Sequence, residues 1–151
     1  MSTNISDHSY EIIVNSSPES AGKALTDGEV TQKYYFNTRI ESDWVVGSVV
    51  RSYNQQGGIS SEGEILEIEL QSHLKATFKP LWLPSNGSEP STVSWDLQPL
   101  GALTLLKLTH GGIEDATFEA GQMHIGWVYI LSSLKSLLET DKALPVPEVF
   151  G

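Results

Sequence analysis

The last third of the chain constrains the fold most, because a strand pattern there leads directly into a helix pattern. Residues 104–112 read TLLKLTHGG, in which Leu106, Leu108 and His110 alternate with Lys107 and Thr109. This alternation is the pattern of a half-buried β-strand. From Gly121 to Asp141 one stripe of apolar residues recurs at helical spacing: Met123, Trp127, Ile130, Leu131, Leu134 and Leu138. Such a stripe buries one face of a helix. We therefore expect a sheet to pack on a long C-terminal helix, an arrangement that tends to enclose a pocket.

The rest of the sequence predicts an antiparallel sheet with two short helices near its start. Tyr10, Ile12 and Val14 alternate in a first strand. One short helix then begins near Ser17, a capping residue followed by proline, and a second is expected from Glu29 to Tyr35. Strand and turn signals fill residues 38–110, with these residues expected on inner faces: Leu66, Ile68, Leu70, Val93, Trp95 and Leu97. Because the strands come in runs, the class is α+β with about six to seven strands.

Length, charge and composition exclude several classes of function. The 151 residues are expected to form a single domain, 1–151, with a core of about residues 10–142 and a flexible C-terminal tail. The net charge of −10 and the scattered Lys and Arg residues argue against nucleic acid and anionic membranes as partners. Without cysteine, a signal peptide or an apolar run of roughly 18 residues, we expect a cytoplasmic protein with no membrane insertion.

No catalytic or metal-binding motif stands out. The four histidines lack metal-ligand spacing, and no GxSxG motif or phosphate-binding glycine loop is present, so no cofactor and no metal are expected. His73 and His124 are expected to be solvated. His110 is the last inward-facing residue of its strand and lies close to the start of the long helix. It would be either a structural histidine, or a hydrogen-bond donor or general base at the mouth of a cavity. Glu67 and Glu69 are expected on a solvated strand face.

Four segments in sequence order resemble one known family: KALTDGEVTQKYY (23–35), GEILEIEL (63–70), TLLKLTHGG (104–112) and GWVYILSSLKSLLET (126–140). The family consists of bacterial relatives of the C-terminal domain of the Hsp90 ATPase activator, in the SRPBCC (START-related, pollen-allergen-like) superfamily. The likeness covers about residues 10–142. This chain has Tyr34-Tyr35-Phe36 where family members often carry Trp-Trp or Trp-Tyr. The likeness does not extend to the activator's separate Hsp90-binding N-terminal domain, so activation of a chaperone ATPase is not what the resemblance alone leads us to expect.

The resemblance implies a helix-grip fold, in which a curved antiparallel sheet wraps around the C-terminal helix and leaves an elongated apolar cavity. Aromatic residues from different elements would converge there, with Arg51 or His110 as a polar anchor. The residues expected to line the cavity are Tyr35, Trp44, Arg51, Leu66, Phe78, Trp82, Trp95, His110, Met123, Trp127 and Ile130.

Three functions follow from this expectation. The first is a non-enzymatic module that holds a small hydrophobic or amphipathic molecule. It is favoured because aromatic residues are expected to line the cavity and no set of catalytic residues is recognised in the sequence. The second is a chaperone-associated interaction domain, with a chaperone or a second copy of the chain as partner. The third is a cyclase or hydrolase that uses His110 as its base. One fold supports all three, so the sequence leaves them open.

Overall fold

The alternating segments form one antiparallel sheet that holds the C-terminal helix on one face. The computed structural model describes residues 4–83 and 90–148. The elements in chain order are β1 (Ile5–Val14), α1 (Pro18–Thr26), α2 (Gly28–Tyr34), β2 (Arg39–Ser42), β3 (Val49–Tyr53), β4 (Ile59–Glu69), β5 (His73–Pro80), β6 (Ser91–Leu100), β7 (Leu103–Glu114), α3 (Asp115–Ala120) and α4 (Met123–Thr140). The described strands have the order β1-β7-β6-β5-β4-β3-β2. This is the α+β helix-grip fold that the sequence predicts.

The two short helices begin at the capping residues expected from sequence. The Ser17 hydroxyl accepts a hydrogen bond from the Ser20 amide at 3.2 Å, and α1 follows with proline in its first turn. The Asp27 carboxylate accepts from the Glu29 amide at 2.9 Å, so α2 starts at Gly28. These caps satisfy backbone amides that a helix N-terminus otherwise leaves unpaired.

The core lies between the sheet and α4. Leu106, Leu108 and Trp95 point from the sheet into this layer, and Trp127 and Leu134 meet them from the helix. Every residue of the predicted α4 stripe is buried except Leu138, which is half-buried. Helix packing therefore follows the predicted apolar face. Within the described residues, no helix is both long and apolar enough to cross a lipid bilayer.

The start of the C-terminal helix differs from the prediction. The acidic link before it forms a separate short helix, α3, which ends at Ala120. Gly121 and Gln122 then separate α3 from α4, and Gln122 adopts a left-handed backbone conformation with φ of 52°. A residue in that conformation cannot continue a right-handed helix. The chain therefore turns at the point where the sequence predicts the first residues of one continuous helix.

The chain beyond α4 runs back along that helix as far as Leu144, where the sequence predicts a flexible tail. The Leu144 amide donates to the Ser133 hydroxyl at 3.0 Å. The Tyr129 hydroxyl donates to the Leu144 carbonyl at 2.9 Å. The backbone amide and carbonyl of Leu144 are therefore both hydrogen-bonded to side chains of α4.

Candidate functional site

A cavity of about 450 Å³ lies between α4 and the half of the sheet formed by β3, β4 and β5. Asn54, Trp82 and Gln122 are exposed and surround its mouth, which opens between the β3–β4 turn, the end of β5 and the α3–α4 junction. The residues that line it are Tyr35, Phe36, Thr38, Ser52, Asn54, Ser60, Ser61, Phe78, Trp82, Ala120, Gly121, Gln122, Met123, Gly126, Trp127 and Ile130. Its volume lies within the range of small-molecule sites in proteins.

Aromatic side chains from three regions form the walls. Phe78 and Trp82 come from β5 and the segment after it, and their rings meet edge to face at 6.1 Å. Trp127 comes from α4 and lies at 87° to the Tyr35 ring, with centroids 6.0 Å apart. Phe36 completes the wall and stacks obliquely on Tyr129 at 4.8 Å. Rings arranged at steep angles leave angular space between them rather than filling it in parallel layers.

The chain after α2 is held in an unusual conformation that presents Tyr35 and Phe36 to the cavity. Phe36 and Asn37 both have positive φ, 52° and 60°. This conformation is disfavoured for a bulky residue such as phenylalanine. Thr38 fixes the turn, because its amide and its hydroxyl both donate to the Tyr35 carbonyl, at 3.0 and 2.6 Å. A strained residue at a cavity wall is a common mark of a functional site.

The polar part of the lining is uncharged. Ser52 and Ser61 face each other across the β3–β4 ladder, and their hydroxyl oxygens lie 2.6 Å apart. The Tyr35 hydroxyl makes no hydrogen bond with any described residue, and burial raises the pKa of this phenol. No described residue of the lining carries an Asp, Glu, Lys, Arg or His side chain.

A smaller hollow of about 80 Å³ adjoins the larger cavity. The two share Tyr35, Ser52, Ser61 and Phe78 in their linings. Its other wall contains the Arg51–Glu62 pair, whose Nε and Oε2 atoms are 3.3 Å apart. The hydrogen bond that Arg51 donates to Glu62 raises the pKa of the guanidinium, and Tyr53 adds to this effect. Both partners of the ion pair remain accessible to solvent.

The predicted lining residues divide between these two spaces. Tyr35, Phe78, Trp82, Met123, Trp127 and Ile130 line the larger cavity. Trp44, Arg51 and Trp95 line the smaller hollow. Leu66 and His110 line neither.

Leu66 is displaced by a β-bulge in β4. The ladder to β5 shifts register between Ile65 and Glu67, so that Leu66 is the extra residue. Ile65 is fully buried in its place, whereas Leu70, predicted on the same inner face, is 80% exposed. The predicted faces hold beyond the bulge, where Ile68 packs against the core and Glu67 and Glu69 are exposed. The inward prediction is wrong for Leu70, and at the bulge Ile65 takes the buried position expected for Leu66.

His110 lies behind the aromatic wall and not at the mouth of the cavity. The Trp127 indole N–H donates to its Nδ1 at 3.0 Å. Because an indole nitrogen can only donate, Nδ1 carries no proton and Nε2–H donates to the Ser91 hydroxyl, at 2.9 Å. Ser91 in turn donates to the Phe78 carbonyl at 3.2 Å. Burial, with a smaller contribution from His8, lowers the pKa of His110 to about 4.

This arrangement assigns His110 a structural role. Both ring nitrogens have protein partners, and the ring is fully buried. A general base needs a nitrogen within reach of the substrate proton. The expectation that His110 anchors a ligand or acts as a base does not fit the geometry.

The other histidines also have partners that the sequence did not indicate. His73 opens β5 and contacts Asp96 through Nδ1 at 2.7 Å and Glu67 through Nε2 at 2.8 Å. His124 lies 2.9 Å from the Tyr10 hydroxyl. The prediction that both are solvated holds for His124, which is exposed, whereas His73 is half-buried beside its two carboxylate partners. Among the described residues, no cluster of three histidine or carboxylate side chains is arranged to hold a metal.

Sequence reasoning missed four lining residues of chemical interest: Phe36, Ser52, Ser61 and Gly126. Gly126 stood in a segment that resembles the family's closing helix, and its lack of a side chain is what widens the cavity at α4. Ser52 is buried between half-buried neighbours on β3, but its pairing with Ser61 has no signal in the sequence. The backbone turn that exposes Phe36 to the cavity has none either.

The comparison with protein families identifies the family of this chain. The model for the "Activator of Hsp90 ATPase homolog 1-like protein" family matches residues 15–139. The chain belongs to this family. The match confirms the resemblance to the Hsp90 activator domain within the SRPBCC superfamily. A comparison with curated protein sequences finds no match.

Solved structures agree on the fold. The Aha1 dimer from Colwellia psychrerythraea is 23% identical with a TM-score of 0.74, over 91% of this chain and 98% of that one. An HSP90 activator from Plasmodium falciparum is 22% identical with a TM-score of 0.72, over 88% of this chain and 96% of that one. DynU16, a putative protein in the dynemicin biosynthetic locus, is 18% identical with a TM-score of 0.75, over 91% of this chain and 48% of that one. At these identities the likeness establishes a shared fold and not a shared activity.

Proposed function

We propose that this protein binds a small hydrophobic or amphipathic molecule in the cavity between α4 and the sheet. The observation that carries the proposal is a 450 Å³ space whose walls include Tyr35, Phe36, Phe78 and Trp127. Interiors of proteins are normally filled to the density of organic crystals, so a space of this size between core elements is not ordinary packing. An apolar molecule that enters it exchanges contact with water for contact with rings. A cytoplasmic location is part of the proposal.

The test is a thermal-shift screen of lipids and aromatic compounds, combined with a variant that fills the cavity. Gly126 is buried on α4, and a Cβ there would meet only the Phe36 ring at ordinary contact distance, 3.9 Å. The side chain of Gly126→Leu would extend into the space that the ligand needs. We expect a compound that raises the Tm of the native protein, because ligand binding stabilises the folded state. In Gly126→Leu the same compound should leave the Tm unchanged.

Gly126→Ala is the matched control. It gives the helix the same benefit of replacing glycine, up to about 1 kcal/mol, but adds only one methyl group and should retain the ligand-induced shift. Equal shifts in Gly126→Leu and native protein would contradict binding in this cavity. A broad screen without any stabilising compound would contradict the function itself.

A second candidate function is contact with Hsp90. Two observations favour it: the family match over residues 15–139 and the fold shared with an HSP90 activator from Plasmodium falciparum. The test is retention of purified Hsp90 by the immobilised protein at low salt, together with the Hsp90 ATPase rate. Retention with a raised rate would support this function. Failure of retention at low salt, where charge interactions are strongest, would contradict it.

The Colwellia psychrerythraea relative is a dimer, and a second copy of this chain is included in the proposal as a partner. Sedimentation equilibrium over a range of concentrations measures this directly. A monomer at all concentrations would remove this partner without affecting the ligand proposal.

A further inference from the structure

We propose that the cavity selects an uncharged ligand with an aromatic or polycyclic body and an oxygen acceptor, which Tyr35 binds through its hydroxyl. The inference rests on the proposed function and specifies the class of ligand. It follows from three features of the lining: the lack of charge, the two adjacent tyrosines with different hydrogen bonding, and the serine pair.

The electrostatics of the cavity exclude a charged ligand group. None of its described lining residues is ionisable to a charge at neutral pH. The charged pair Arg51–Glu62 borders the smaller hollow, and its two charges offset each other. A carboxylate or ammonium group that entered the cavity would lose its hydration without gaining a counter-ion, which costs several kcal/mol by general estimates. An uncharged ligand avoids this loss.

Tyr34 and Tyr35 show which hydroxyl is available to a ligand. Tyr34 is 1% exposed and donates to the Ala24 carbonyl at 2.8 Å, so its hydroxyl has a structural partner. Tyr35 lines both the cavity and the smaller hollow, and its hydroxyl has no hydrogen-bond partner among the described residues. Tyr35 is half-buried and its hydroxyl is not sealed off from the cavity, so this hydroxyl can donate to a ligand oxygen in place of water.

The serine pair supplies a second polar contact at the same place. Ser52 and Ser61 also border both spaces. Their mutual bond of 2.6 Å uses one of their two hydroxyl hydrogens, and the other has no acceptor among the described residues. The Tyr35 hydroxyl and one serine hydroxyl are therefore two donors without an acceptor among the described residues, and both border the cavity and the smaller hollow. An acceptor such as a carbonyl, ether or hydroxyl oxygen satisfies them, while the flat body lies among Phe78 and Trp127.

The experiment uses four probes with one tricyclic skeleton: fluorene, 9-fluorenone, fluorenone-2-carboxylate and 2-(aminomethyl)fluorene, which is an ammonium ion at pH 7. Binding to the full chain is measured by quenching of tryptophan fluorescence, since Trp127 and Trp82 line the cavity. We expect fluorenone to bind about fivefold more tightly than fluorene, which is the size of one neutral hydrogen bond. Both charged probes should bind at least tenfold more weakly than fluorenone. Repeating the titration in 0.5 M NaCl screens the surface charge and should preserve this discrimination.

Tyr35→Phe tests the assigned donor, and Tyr34→Phe is its control. Tyr35→Phe removes one hydroxyl and should reduce the fluorenone preference to less than twofold, with fluorene affinity unchanged. Tyr34→Phe removes the neighbouring hydroxyl, which faces Ala24, and should keep the fivefold preference even if it lowers the Tm.

The outcomes separate this inference from the function on which it rests. If no probe binds and no screened compound does, the proposed function fails. If the neutral probes bind but a charged probe binds as tightly in high salt, the uncharged class is wrong. If Tyr35→Phe retains the full fluorenone preference, the assignment of Tyr35 is wrong.

Discussion

At the scale of single residues, burial and partners decide what a side chain does. The sequence predicts Arg51 or His110 as the polar anchor and Tyr35 only in the cavity lining. Both ring nitrogens of His110 are hydrogen-bonded, one to Trp127 and one to Ser91. The Tyr35 hydroxyl has no hydrogen-bond partner among the described residues. The polar anchor that we propose is therefore the tyrosine. Residue type and spacing do not contain this distinction, because hydrogen-bond satisfaction depends on which elements pack together.

The Trp127–His110 hydrogen bond gives the first prediction. Trp127→Phe keeps an aromatic ring but removes the indole N–H, which leaves the buried Nδ1 of His110 without a donor. It also leaves space in the core. We expect a loss of about 2 kcal/mol in the free energy of unfolding, measured by urea denaturation. Trp82→Phe is the control, because Trp82 is 55% exposed, and it should change stability by less than about 0.5 kcal/mol. Equal losses in the two variants would contradict the structural role of the hydrogen bond.

At the scale of elements, β4 is where close backbone approach and a bulge control the sheet. A Cβ at Gly63 would collide with the carbonyl oxygen of Thr77 on β5. The Thr77 hydroxyl also accepts from the Glu64 amide at 2.8 Å. Only glycine permits the strands to approach this closely. Two residues further along, the bulge at Leu66 begins.

Gly63→Ala tests this arrangement. The methyl group must push β4 and β5 apart beside the bulge, so we expect a loss of about 3 kcal/mol in unfolding free energy by chemical denaturation. Glu64→Ala is the matched neighbour, since its side chain is exposed, and it should lie within about 0.5 kcal/mol of the native protein. A Gly63→Ala protein of native stability would mean that the two strands are further apart than described here.

The elements also show which parts of the fold sequence patterns can predict. Alternation predicted the inner faces of β6 and β7, and helical spacing predicted the buried stripe of α4, because both patterns follow directly from backbone period. The bulge at Leu66 and the break at Gln122 were not predicted. Each depends on one residue whose backbone conformation has no side-chain signature. The bulge puts Ile65 rather than Leu66 in the buried position. Beyond it, Ile68 packs against the core and Glu67 and Glu69 are exposed, as predicted.

The candidate site was predictable only in part for the same reason. The aromatic residues of α4 and β5 could be assigned from their inward register once the helix-grip fold was expected. Phe36 reaches the cavity through a left-handed turn, and Ser52 meets Ser61 through a strand pairing that joins separate segments. Both depend on tertiary geometry, and single-sequence periodicity does not report it.

At the scale of the whole molecule, two histidines oppose each other in the pH dependence of stability. The pKa of His110 is lowered to about 4, chiefly by burial. Burial also lowers the pKa of His73, but its hydrogen bonds to Asp96 and Glu67 outweigh this effect and raise the pKa above its usual value. His110 contacts β1 through His8, β5 through Phe78, β6 through Ser91, α3 through Phe118 and α4 through Trp127. None of these five side chains is a carboxylate that would stabilise its charged form.

The signs of the two shifts predict a stability maximum near pH 6.5 to 7. Between pH 6.5 and 4 the unfolded chain binds a proton at His110 that the folded protein excludes, so acidification to pH 5 costs about 2 kcal/mol. Above pH 6.5 the folded protein releases the His73 proton, and the stability from its two carboxylate partners is lost as pH rises through the raised pKa. The measurement is Tm between pH 5 and 9. His110→Gln should flatten only the acid side of the profile, and His73→Gln only the alkaline side. If either variant flattened the opposite side, the assigned directions of these shifts would be wrong, because each histidine titrates between its own folded and unfolded pKa values and nowhere else.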